Sequence, residues 1–186
     1  MKQYNESLID SEIAMLLYAG MVTDSGCFSF ENTNSETHCI ASELMKYDFK
    51  AHEISEKLMN SISLEVFNLK NKVLSNAKFY ENGRLAIMVY RKEDFIETGT
   101  FDKDTDGIIN ALKNVNSVDL AISIAEVGDK AYKVSFRSKN SVNAASCARC
   151  FGGGGHYRAA GCRLYGYFED VYNKILTVAK EMLDND

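Results

Sequence analysis

Proline and tryptophan are both absent from the 186 residues, and histidine occurs only three times. Without proline there is no proline-rich linker and no polyproline recognition segment. No apolar run of about 18 residues occurs, so no membrane-spanning helix is indicated. The first ten residues, MKQYNESLID, carry no apolar stretch behind their single lysine and do not read as a secretory signal. Cysteine is present five times, an odd number with irregular spacing, so reduced thiols in a cytoplasmic protein are expected rather than a disulfide framework. No G-x-S-x-G occurs, and with it goes the argument for a Ser-His-Asp hydrolase. Acidic residues are missing from one long stretch: between Lys130 and Arg163 there is no Asp or Glu.

That stretch contains Lys130, Lys133, Arg137, Lys139, Arg149, Arg158 and Arg163. The whole chain has 21 basic and 26 acidic residues, so the remainder carries 21 − 7 = 14 basic against 26 acidic, or −12. A cationic segment on an acidic chain points to a local anion site, or to a solvated basic face; it argues against a general nucleic-acid coat. Hydrophobic residues at 46% and charged residues at 25% are ordinary globular values, enough for a core in one domain or two small ones.

Within the cationic segment, four glycines stand directly before a histidine: FGGGGHYRAAGC, Phe151 to Cys162. Glycine lets the backbone approach a ligand closely and turn N–H groups toward it, and clustered N–H groups bind phosphate. Gly152, Gly153, Gly154, Gly155 and His156 are therefore candidate anion contacts, with Arg137 and Ser138 at a strand end beside them. The alternative is a loose hinge with a surface histidine. The run is neither a P-loop nor a dinucleotide fingerprint, since the GK[ST] ending and the G-x-G-x-x-G spacing are missing.

Hydrophobic spacing predicts a helix over 11–22 capped by Asp10 or Ser11, then two amphipathic helices over 36–47 and 51–60, and another over 62–75. From residue 77 the texture changes. A hairpin is expected at Asn82-Gly83 and a second at Gly128-Asp129. Short helices are expected over DTDGIINALKNV, started by Asp or Thr, and over 141–150. A strand over AAGCRLYG and a helix over 168–183 complete the pattern, a helical part followed by an α+β part.

Other polar groups allow two readings each. Asp24 in TDSG either caps a turn or ligates a hard cation such as Mn²⁺ or Mg²⁺. The DKDTD run at 102–106 is either a divalent-ion loop or a helix cap. Cys147 and Cys150 form a C-x-x-C with no second matched pair, which suits packing better than zinc. His38 and His52 are isolated surface or capping residues.

Two segments taken together, YAGMVTDSGCFSFENTNSETH and VSFRSKNSVNAASCARCFGGGGHYRAAGC, resemble the DHH family of phosphoesterases. The likeness is to the RecJ-like branch of bifunctional oligoribonucleases (nanoRNases) and 3′-phosphoadenosine 5′-phosphate phosphatases. It runs over nearly all of the chain. It implies an α/β fold: a helical remnant of a DHH parallel-sheet domain over 1–61, a linker helix over 62–76, and an α+β DHH-associated C-terminal domain with a mixed sheet over 77–186. It implies that Asp24 is a metal ligand, that Gly152 to Gly155 with His156 grip substrate, and that Arg137 and Ser138 face its phosphate. Thr105, Asp106 and Gly107 match a segment near the cleft. The expected cofactor is Mn²⁺ (or Mg²⁺) in a two-metal centre, and the expected partners are short RNA or a small nucleotide, with a homodimer formed over exposed apolar helix faces.

The family's earlier motifs, a D-x-D, a further Asp and Asp-His-His, have no counterpart before Asp24, and there is no His-His pair. The resemblance therefore implies the C-terminal portion of a longer enzyme, binding nucleotide but inactive alone. A cyclic dinucleotide phosphodiesterase, an exopolyphosphatase-related protein and a non-catalytic nucleotide-binding module are the other readings.

Overall fold

The computed structural model describes residues 8–139 and 142–184. It divides between Ile62 and Ser63 into two compact units.

The first unit holds α1 (Ser11–Asp24), α2 (Ser35–Leu44) and α3 (Ala51–Met59). Asp10 caps α1 by accepting the Ile13 N–H at 2.9 Å. Asn34 and Thr37 form a reciprocal capping box on α2. Ala14, Tyr18 and Val22, each four residues apart, bury one face of α1 against Ala41 and Leu44. Ile13, Leu16 and Leu17 leave another apolar face of the same helix exposed. A helix apolar on more than one side is the kind that proteins bury from more than one side.

The second unit is built on a six-stranded sheet in the order β1-β2-β3-β4-β6-β5. Its strands are β1 (Lys78–Tyr80), β2 (Leu85–Tyr90), β3 (Leu120–Gly128), β4 (Ala131–Ser138), β5 (Gly154–His156) and β6 (Ala159–Tyr165). Only β2 and β3 run parallel; every other neighbour pair is antiparallel, so the sheet is mixed as expected. The helices are α4 (Leu64–Ser75), α5 (Lys92–Thr98), α6 (Ile109–Lys113), α7 (Ala144–Arg149) and α8 (Phe168–Asp184). The segment expected as a linker helix is α4, and its Leu69 and Val73 are buried in the core of this unit.

Both hairpins form. Asn82 supplies the left-handed conformation (φ 55°) of the first turn, and Lys130 (φ 48°) that of the second. Two elements depart from the sequence reading. α5 was not expected, because KEDFIET is too short to show a helical period. β5 was not expected either, because glycine disfavours strands. The start of α6 also differs: its N-cap is Ile108 with no side-chain cap, while Asp102–Thr105 makes its own 3₁₀ turn.

The two faces of the sheet are covered unequally. On one face, Leu85, Ile87, Ile122, Val134, Phe136 and Ala160 pack under α7 and α8. This core reaches across β2, β3, β4 and β6. On the other face, Ala86, Met88, Tyr90, Ala121 and Ala125 pack under α4, α5 and α6. That second core takes in β2 and β3 but no described residue of β4, β5 or β6. Phe136→Ala, which removes a 1% exposed ring stacked on Phe151, is expected to cost about 3–5 kcal/mol. Urea denaturation followed by circular dichroism measures it, and a loss below about 1 kcal/mol would show that the α7–α8 face is not the core.

Candidate functional site

Along β4 the burial alternates strictly. Tyr132, Val134, Phe136 and Ser138 are buried, and Lys133, Ser135 and Arg137 between them are partly open. Because strand neighbours in register share a face, the pairing extends this open side outward. Arg137 lies opposite Ala159, which lies opposite His156. Ser135 lies opposite Gly161, which lies opposite Gly154. Lys133 lies opposite Arg163. The three outer strands thus present a lane of small residues bounded by polar ones, on the face opposite the α7–α8 core.

Arg137 and Ser138 do not act as a pair. Arg137 points to the open face, half-buried, and its Nη1 donates to the Phe136 carbonyl at 3.0 Å. Burial pulls the guanidinium below its ordinary pKa and the Asp106 carboxylate pushes it back up; it stays charged at neutral pH. Ser138 turns to the covered face, is 2% exposed, and its Oγ donates to the Tyr157 carbonyl at 3.3 Å. Its backbone N–H donates to the Arg158 carbonyl at 3.2 Å. Ser138 therefore fastens the β5–β6 turn to β4, on the side away from Arg137.

The glycines divide by job. Gly152 (φ +72°) terminates α7, with its N–H on the Arg149 carbonyl at 3.0 Å. The Gly153 N–H caps the Ala148 carbonyl at 2.9 Å, and a β-carbon at Gly153 would lie 2.3 Å from the Gly161 carbonyl oxygen. Gly155 (φ +146°) would carry one 2.5 Å from the Ala159 oxygen. These three positions are demanded by the fold. A β-carbon on Gly154 would meet nothing within 4 Å. Of the four amides expected to ring a ligand, those of Gly152 and Gly153 are spent on the end of α7, and within β5 Gly154 is the glycine where a β-carbon would meet nothing. His156 is exposed beside it on the edge strand.

Lys113 at the end of α6 belongs to the same charged neighbourhood. Its ammonium is pulled below its ordinary pKa by burial and then by Lys139, Arg137 and Arg158. Hydrogen bonds hold these segments together: the Ser138 main-chain N–H donates to Arg158 O, and the Lys139 side-chain Nζ donates to Val115 O at 2.6 Å. Asp106, 85% exposed, sits 3.7 Å from Lys133 Nζ. Thr105 is turned inward, bonded to the Asp102 carbonyl at 2.7 Å, and Gly107 takes a left-handed φ of +82°.

Asp24 ends α1 in the first unit, exposed, with its Oδ2 accepting from Asn32 Nδ2 at 2.9 Å. The residues that follow, Gly26, Cys27 and Phe28, all have left-handed φ, and a β-carbon at Gly26 would strike the Phe30 ring. Among the described residues no group of three or more His, Cys, Asp or Glu is placed to hold a metal ion. A pair of divalent cations needs several oxygen or imidazole ligands each. One carboxylate with an amide neighbour does not fit that group. The DKDTD run is a capping turn, with Asp104 Oδ2 accepting the Phe101 N–H at 2.8 Å.

A model of the DHHA1 domain matches residues 82–185, more than half of the chain. The chain belongs to the DHHA1 domain family. It is 32% identical over 180 residues to a probable bifunctional oligoribonuclease and PAP phosphatase NrnA of Streptococcus mutans, covering 95% of this chain and 56% of that protein. It is 33% identical over 162 residues to the bifunctional oligoribonuclease and PAP phosphatase NrnA of Bacillus subtilis, covering 87% and 50%. In structure it resembles an exopolyphosphatase-related protein of Bacteroides fragilis, with a TM-score of 0.84 and 29% identity over 95% of this chain and 51% of that one. The chain thus spans about half the length of the curated relatives it matches. No helix among the described residues is long and apolar enough to cross a membrane.

Sequence reasoning had counted Lys133 and Arg163 only as charge and had missed Lys113, Ser135 and Gly161 of this DHHA1 domain. The signal for Lys133 and Ser135 was available: AYKVSFRS alternates, and its polar positions share one side. Lys113 gave none, since α6 reaches β4 only through the fold.

The C-x-x-C is split. Cys147 is buried in the core and Cys150 is exposed. Burial pushes the Cys147 and Cys162 thiols up to about 11. Thiolate is the reactive form, so at pH 8 a thiol reagent such as 5,5′-dithiobis(2-nitrobenzoate) is expected to label the exposed Cys27, Cys39 and Cys150 first, with Cys147 and Cys162 lagging until the pH nears 11. Equal rates for all five would contradict this burial. The glycine assignments are tested by paired variants. Gly155→Ala is expected to cost about 2–3 kcal/mol from strain and overlap, and Gly154→Ala to stay within about 0.5 kcal/mol. A thermal melt decides, and equal losses would refute the division.

Proposed function

We propose that the open face of β4, β6 and β5 binds the phosphate of a short oligoribonucleotide or of 3′-phosphoadenosine 5′-phosphate. In this reading the chain supplies the substrate-holding part of a metal-dependent phosphoester hydrolase. The observation that carries it is the row Arg137–Ala159–His156 beside the unobstructed Gly154. Arg137 offers a planar fork of donors on a half-buried stem, suited to phosphate oxygens. His156 adds a ring N–H donor at the strand edge. Alternate residues of an edge strand turn their main-chain groups away from the sheet, which adds amide donors. Lys113 and Arg158 raise the local positive potential, and Ser138 fixes the turn that carries His156. The names of the relatives support the same substrate class, since two are described as oligoribonucleases and PAP phosphatases.

The hydrolytic step is assigned to ligands outside the described residues, and Mn²⁺ or Mg²⁺ is the metal proposed for it. For the 186-residue chain alone the expectation is nucleotide binding with little turnover, because the described residues lack the ligand set. An assay with Mn²⁺ on pAp and on a 5′-phosphorylated dinucleotide checks this; turnover within tenfold of a full-length relative would overturn it.

His156→Ala and Gly154→Val are each expected to weaken AMP binding about tenfold, the scale of one charge-assisted hydrogen bond, while the melting temperature stays within about 2 °C. Calorimetry and a melt on the same samples separate the two quantities. Unchanged affinity in both variants would remove the open face as the nucleotide site.

A further inference from the structure

Two thiols of α7 have no part in phosphate binding. Cys147 lies in the last turn of the helix and Cys150 is its C-cap, three residues on. Residues so spaced on a helix are surface neighbours, with β-carbons about 5–6 Å apart. A disulfide needs about 3.5–4.5 Å, so a shift of about 1–2 Å closes the gap. A second observation places the thiols near each other: a charge on Cys150 adds to the burial that holds the Cys147 thiol above its ordinary pKa.

Access divides the two. Cys147 is 0% exposed within the α7–α8 core, and Cys150 is exposed. Cys150 is also the looser of the pair. Its N–H reaches the Ser146 carbonyl at 3.4 Å, a long bond, and its Sγ reaches the same oxygen at 3.5 Å.

The residues after Cys150 are fastened to the same turn. The Phe151 N–H donates to the Ala148 carbonyl at 3.0 Å, and its ring stacks on Phe136. The Gly152 and Gly153 N–H groups close on the Arg149 and Ala148 carbonyls. There is little slack toward β6, since a β-carbon on Gly153 would lie 2.5 Å from that of Cys162. Drawing Cys150 toward Cys147 therefore pulls on these closures, and β5 begins at the next residue, Gly154.

We propose that Cys147 and Cys150 are a redox pair, converted by a low-molecular-weight disulfide into an intramolecular disulfide that loosens the end of α7 and the glycines leading into β5. The chemistry is thiol–disulfide exchange. The Cys150 thiolate attacks one sulfur of the small disulfide RSSR, forms a mixed disulfide and releases RS⁻. The Cys147 thiolate then attacks the Cys150 sulfur, forms the Cys147–Cys150 bond and releases the second RS⁻. The two protons lost by the protein thiols go to the two RS⁻. The cysteine pair is thus oxidised by two electrons and RSSR is reduced to two RSH. Cys150 reacts first because it is the one a reagent can reach. Burial keeps Cys147 in its thiol form, so the second step is the slow one. Nothing in either step involves a nucleotide.

The test is peptide mapping. The wild-type protein is incubated with oxidised glutathione, free thiols are blocked with iodoacetamide, and the denatured protein is digested with trypsin. Arg149 stands between the two cysteines, so cleavage parts peptides 140–149 and 150–158 unless a disulfide joins them. The joined pair is expected, and dithiothreitol is expected to separate it. Cys150→Ser, a change at an exposed position, is expected to abolish it. Cys147→Ala is expected to leave glutathione on Cys150. Hydrogen exchange at the Gly152 and Gly153 amides, read by NMR, is expected to quicken about tenfold in the oxidised wild type while β3 amides stay within about twofold. Glutathione held on Cys150 of the wild type with no joined peptides would overturn the proposal. So would a bond from Cys150 to Cys162 or between two molecules. Joined peptides with unchanged exchange at Gly152 and Gly153 would overturn the coupling to the glycine turn.

Discussion

Unequal cover of one sheet is the constraint from which the site follows. Each strand must place alternate residues on opposite faces, and each face must be either packed or wet. β2 and β3 have helices on both sides, so their sequences are nearly all apolar: LAIMVY, and LAISIA at the start of β3. β4 is packed into an apolar core on one side only, and AYKVSFRS obeys that with buried rings and branched residues on one side and Lys, Ser and Arg on the other. The polar side of β4 stays partly open because the apolar core under α4, α5 and α6 ends at β3. A helical layer one strand wider would have turned Arg137 into an unpaired buried charge, at high cost.

The glycine run shows how a fold and a site share residues. α7 must stop, turn and feed an edge strand within a few residues. Gly152 supplies the left-handed turn, while Gly153 and Gly155 let the chain come close to β6, where any side chain would overlap main-chain oxygen. Gly154 has no such duty. It faces the open side in line with Gly161 and Ser135, and backbone there is accessible because nothing in the packing fills the gap. Glycine at 153 and 155 is thus a condition for the hairpin that presents His156, and glycine at 154 is a condition for reaching the sheet surface.

Most of the architecture was legible because its signals are local. The Asn82-Gly83 turn, the cap at Asp10, the alternation of β4 and the amphipathic period of α8 all lie within a few residues of the effect they cause. α5 and β5 were not legible, one for want of length and one because four glycines look like anything but a strand. Of the site, Arg137, His156 and the glycines were visible as a cluster of basic and flexible residues. Their division of labour was not. Ser138 reads as Arg137's partner in sequence, yet adjacent strand residues face opposite ways, so one meets solvent and the other a buried carbonyl. Lys113 was invisible, since its place beside Arg137 depends on α6 crossing from β2 to β3.

The sequence by itself determined the class of the fold, the family resemblance and the sign of charge around residues 130–163, since periodicity, motif and charge are properties of the chain read in order. Only the tertiary structure decided which side of β4 stays bare, which glycine leaves room above the sheet, and that Lys133 meets Arg163. Those outcomes depend on strand register and on where a helical layer ends. Both are set by contacts between residues far apart in the chain, and no local pattern carries that information.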